Sequence, residues 1–120
     1  MPLLRERISP EFEQDILTGL ITNTQFINKT HRWYKSQYFS DYGKVIYKWV
    51  VDYWSEYAQA PGKNIQSIWK VKQDDIKPAL ADNIASYLEN LSIHYENKSE
   101  FNLDYLIDKT RDYIRKKSYE

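Results

Sequence analysis

Between Asp41 and Gly62 the apolar side chains fall at Tyr42, Val45, Ile46, Trp49, Val50, Tyr53, Trp54 and Tyr57. Steps of three and four place all of them along one face of a helix with 3.6 residues per turn. The pattern stops at Ala60-Pro61-Gly62, where proline and glycine interrupt a helix. A stripe rich in tryptophan and tyrosine is too heavy to leave in water, so this segment is expected to be the spine of an all-helical core. Ser40 or Asp41 is its expected N-cap.

The same period predicts the neighbours. Ser9-Pro10 suits a helix start, with Glu11 and Glu13 near the positive end of the dipole. Phe12, Ile16, Leu20 and Ile21 form the inner face, with Leu17 at its edge. Thr22-Asn23-Thr24 caps a short helix bearing Phe26 and Ile27, with Trp33 near its end. Beyond Gly62, Asn64 is the expected cap of a short helix with Ile65, Ile68 and Trp69. Pro78 opens a long one striped Leu80, Ile84, Leu88, Leu91, Tyr95. After a charged turn at Asn97 to Glu100, Asn102 caps a last helix with Leu103, Leu106, Ile107, Thr110 and Ile114 inward. The expectation is an all-α fold, one compact bundle of about six helices. Residues 1–8 are an N-terminal arm, 9–96 the core bundle and 97–120 the final helix. Trp49, Val50, Tyr53 and Trp54 should meet Phe12, Ile16 and Leu20 at its centre.

Composition narrows the chemistry. The 120 residues suffice for one domain with its own core. Without cysteine there is no disulfide, thiolate metal site or cysteine nucleophile. Seventeen basic and seventeen acidic residues cancel, which removes the general attraction to nucleic-acid phosphates. No apolar run approaches the ~20 residues that span a bilayer, and the first residues carry no apolar stretch of signal-peptide length. A soluble, cytoplasmic protein is expected.

No catalytic, cofactor or metal residues are assigned. Gly19, Gly43 and Gly62 are too far apart for a phosphate-cradling loop. His31 and His94 are not spaced as a metal pair, and Asp74-Asp75 reads as a helix-start pair. Arg32, Trp33 and Lys35 interleave cations with a ring, the pattern of a weak nucleic-acid contact, although an inward Trp33 explains it as well. Lys109, Arg111, Arg115, Lys116 and Lys117 complement the C-terminal dipole or form a small anion-docking patch. Tyr105 and Tyr113 on the last helix, Tyr47 on the outer side of the spine, and Tyr34 and Tyr38 near its start are read as surface rings. Such rings favour protein interfaces.

The order of features resembles a known family. Glu11-x-Glu13-x-x-Ile16-Leu17-x-Gly19-Leu20-Ile21, followed by the short helix with Phe26, resembles the opening of the N-terminal domain of DnaB-type replicative helicases. Tyr38-Phe39, with Ile46-Tyr47 beyond, is similar to that family's aromatic pair leading into its next long helix. The proline turn at Ala60-Pro61-Gly62 and the short helix after it follow in the same order, over roughly residues 9 to 70. Residues 71 to 120, with Phe101-Asn102-Leu103-Asp104-Tyr105-Leu106, look more like phage and prophage variants. The family's Pro-His after the aromatic pair is absent, with Tyr42-Gly43 there instead, and the spine is more aromatic than the family's aliphatic one.

The resemblance implies a non-catalytic protein-interaction and assembly domain. It would hold protomers in the collar of a hexameric ring and dock primase, a helicase loader or other replication proteins. A linker and ATPase domain would follow the final helix, and ATP and magnesium would belong to that domain alone. Neither direct DNA binding nor a membrane is expected. The alternative is a helical nucleic-acid-binding domain of a phage replication initiator or helicase loader. Calorimetric titration of this chain with ATP is expected to give no binding heat, and a stoichiometric isotherm would overturn that expectation.

Overall fold

The computed structural model describes residues 10–97 and 102–118. Among these residues it consists of six α-helices and no strand. They are α1 (Pro10–Thr22), α2 (Thr24–Thr30), α3 (Asp41–Tyr57), α4 (Asn64–Lys72), α5 (Pro78–Asn97) and α6 (Leu103–Ser118). Single 3-10 turns occupy Ser36–Tyr38 and Gln73–Asp75. This is the all-α bundle that the periodicity predicts. The expected arm at residues 1–8, the Ser9 cap and the charged turn after Asn97 lie outside the described residues, as do the side chains of His94, Lys116 and Lys117.

The caps follow side-chain chemistry at the starts of α2, α3 and α6. Asn23 Oδ1 accepts from the Phe26 N–H at 2.9 Å, and Asn102 Oδ1 accepts from the Tyr105 N–H at 2.9 Å. Asn64 departs from its expected role. It is the first residue of α4, and its side-chain amide donates to the Tyr53 hydroxyl at 3.0 Å. Helix α3 ends before its proline, with Ala58 in the left-handed region (φ 57°) donating to the Trp54 carbonyl at 2.7 Å.

The centre of the bundle is α1, not the expected spine. It packs against α2, α3, α5 and α6. Ile16, Leu17 and Leu20 are fully buried, so Leu17 belongs to the core rather than its edge. Gly19 permits the close approach, since a Cβ there would lie 2.8 Å from the Phe26 ring and 3.2 Å from Leu106. On α3, Ile46, Trp49 and Val50 are buried, but the stripe then leaves the core. Tyr53 and Trp54 are only half-buried, which corrects their expected place at the centre, and Tyr57 at the end of the stripe is exposed. Trp54 instead covers α2, its indole N–H donating to Asn28 Oδ1 at 2.7 Å and its ring 4.3 Å from that of His31. Tyr95, expected on the inner stripe of α5, is exposed.

Glu13 ties three helices together. It is 3% exposed, and its carboxylate accepts from the Ser40 N–H at 2.6 Å, the Ser40 hydroxyl at 2.9 Å and the Tyr87 hydroxyl at 2.5 Å. The Ser40 hydroxyl in turn caps α3 by accepting from the Gly43 N–H at 3.1 Å. In an ordinary capping box the residue three after the cap is glutamate, and its side chain reaches back to the cap N–H. Here that residue is Gly43, and a Cβ on it would lie 2.7 Å from Glu13 Oε1. The carboxylate from α1 thus fills the place of the missing side chain on α3. The box is split between two helices, with Tyr87 of α5 as a third member. Glu13 therefore serves the start of α3 rather than only the dipole of its own helix.

Two expected outcomes follow from this core. Trp49→Ala should lower the unfolding free energy by ~3–5 kcal/mol in denaturant titration, and a loss under ~1 kcal/mol would show that Trp49 is not core. Burial, then the hydrogen bond to Glu13 and its charge, raise the Tyr87 phenol above its ordinary value of 10.0. Its proton is held more tightly in the folded than in the unfolded chain. Stability is therefore complete below about pH 10 and falls as pH rises beyond it. Tyr34, raised chiefly by burial, contributes in the same sense. The fall should be shallower in Tyr87→Phe than in the native chain when unfolding is followed across alkaline pH; an identical slope would remove Tyr87 as its source.

Candidate docking groove

Helix α3 emerges from the core with three rings still on one side, Trp49, Tyr53 and Tyr57, spaced four apart. The chain turns at residues 58–63 and α4 returns beside it. Ile68 and Val71 of α4 face these rings across an open groove of about 620 Å³. Tyr57 is 55% exposed and Val71 71%, so both leave apolar surface open to solvent along the groove. The Tyr53 and Tyr57 ring centroids lie 4.6 Å apart, and the hydrogen bond from Asn64 holds Tyr53 in place.

Charges line the walls unequally. Asp52 and Glu56 line the α3 side and Lys72 the α4 side. Asp52 pairs with Lys48 at 3.1 Å, both side chains well exposed, a contact worth little in water. Glu56 has no hydrogen-bond or ion-pair partner among the described residues. The groove thus joins aromatic faces to an unanswered carboxylate.

The five tyrosines read as surface rings divide differently. Tyr34 and Tyr38 are buried, which corrects their reading as exposed. The rings of Tyr34, Phe39 and the half-buried Tyr47 form one cluster, with Tyr47 stacked on Phe39 at 4.7 Å. The 3-10 turn at Ser36–Tyr38 folds this stretch against α3. Tyr113 is half-buried, edge-on to Phe12 at 5.1 Å. Tyr105 is exposed at 63%, so the final helix presents one of its two rings freely, not a paired patch.

Arg32 and Lys35 are exposed on either side of Trp33, which is half-buried against the core. Part of that ring is therefore committed to packing. Desolvation, with Arg32 adding, holds the pKa of His31 below its ordinary value. Lys109 lies over the Phe12 ring at 4.7 Å, and Arg111 is 3.1 Å from Asp108 and 3.8 Å from Asp112, so this part of the basic helix end is answered within its own domain. Among the described residues no group of three histidine, aspartate or glutamate side chains gathers as a metal site, and no helix is long and apolar enough to cross a membrane.

Sequence reasoning passed over the groove because Tyr57 extends the core stripe and Val71 lies off the stripe of its own short helix. An apolar residue out of phase with its neighbours was the available signal. Comparison with protein-family models, curated proteins and solved structures finds no match to this chain.

Proposed function

We propose that this chain is a protein-interaction and assembly domain that works by presenting rigid surfaces. The observation that carries the reading is the open groove between α3 and α4, where Tyr57 and Val71 remain exposed beside a well-packed core. Exposed apolar surface of this kind beside a firm scaffold is what binding faces are made of. The split capping box supports the same reading, because it holds the start of α3 to α1 and α5.

The resemblance to the N-terminal domains of DnaB-type helicases supplies the finer proposal. In it, the domain packs against copies of itself in a ring collar and docks primase or another replication protein. The ordered features of that resemblance run over roughly residues 9 to 70, which takes in the α3 wall of the groove and Ile68 on α4 but not Val71 or Lys72. Tyr105, apart from the groove on α6, is the ring proposed for contact between copies. Tethering in a larger assembly would raise the effective concentration of such contacts.

Sedimentation from micromolar to millimolar concentration tests the assembly reading. The native chain is expected to associate as concentration rises, and Tyr105→Glu to associate less. A chain that stays monomeric throughout, or a variant that associates equally, would overturn the assignment of Tyr105.

A further inference from the structure

The groove has a chemistry of its own, and its occupant can be deduced from the two walls. On α3 the lining rings are four apart, and on α4 Ile68 and Val71 are three apart. Ridges of that spacing are complementary to the ridges of another helix. Sheet edges, the other common template for an added segment, do not occur among the described residues.

The polar lining then sets the charge. Among the described residues Glu56 stands without a partner next to Tyr57, and Asp52 beside Tyr53 has only an exposed pair with Lys48. A cation placed there meets both a carboxylate and aromatic ring faces, each of which favours it. An anion would meet two like charges on the same wall. Lys72 faces from the opposite wall and would repel a cation that strayed to that side. The site is therefore sided, negative along α3 and positive at the end of α4.

We propose that the groove binds an amphipathic helix of a partner protein, with aliphatic side chains against Tyr57, Ile68 and Val71 and an arginine or lysine between Glu56 and Tyr57. This inference rests on the reading of the chain as an interaction domain and names the class of partner.

The test uses synthetic peptides of ~20 residues, above the ~12–15 below which an isolated helix is marginal in water. One carries leucines four apart with an arginine on the adjoining face; the others replace that arginine with glutamine or glutamate. Binding to the whole chain is followed by NMR through the Trp49 indole and Asn64 side-chain amide signals. The arginine peptide should shift both signals and bind roughly five- to tenfold more tightly than the glutamine peptide, with the glutamate peptide weakest. Glu56→Lys should remove that preference, and Lys72→Glu should strengthen binding of the arginine peptide. Both residues are exposed, so both variants should keep the native helical signal.

Equal binding of all three peptides would overturn the cation and leave an apolar docking groove. Failure of every peptide to shift Trp49 or Asn64 would overturn the groove as a docking face. Neither failure bears on self-association through Tyr105, which sedimentation decides separately.

Discussion

A buried carboxylate is tolerable in a helical core only when donors surround it, and here three converge on Glu13. Two come from the residue that caps α3 and one from α5, so a single acceptor sets the meeting of three helices. An amide at that position would turn hydrogens toward some of these donors. The space for the carboxylate exists because Gly43 has no side chain. The start of α3 is thereby placed by another helix, and everything farther along α3, including the groove wall, inherits that placement.

This arrangement separates firmness from availability. Near its start α3 is held by polar contacts, and through Trp49 and Val50 by burial. Its last turns carry the most exposed of its rings, Tyr57. Polar joints are also held elsewhere, as in the Trp69 indole, which donates to the Ala81 carbonyl at 3.3 Å and ties α4 to α5. Both groove walls are thus anchored behind, and their apolar faces are exposed by position rather than by looseness.

Much of the helical layout was legible because period, proline and capping chemistry agree at Pro10, Asn23, Ser40, Pro78 and Asn102. What escaped reading was relational. Glu13 looks like an ordinary dipole residue until its partner 27 positions later is known. A serine cap followed by glycine, where a glutamate would complete the box, was the trace it left. Tyr34 and Tyr38 lie in a segment without period, so their inward direction was set by tertiary packing, for Tyr34 against Phe39 and Tyr47, that no local pattern encodes. The groove is a property of two helices and the turn between them, and a stripe read one helix at a time cannot show it.

That turn has a mechanical role. By exposure and composition, residues 58–63 look like the kind of loop that accepts insertions. Yet Pro61 is buried, the Ala60 N–H donates to Thr24 Oγ1 at 3.1 Å, and the Gly62 N–H donates to the Ile21 carbonyl at 2.6 Å. The last of these satisfies a carbonyl at the end of α1 that the helix itself leaves open. The turn is a strut between the central helix and the groove, and a lengthened loop would loosen the far end of α1 as well as change the distance between the walls.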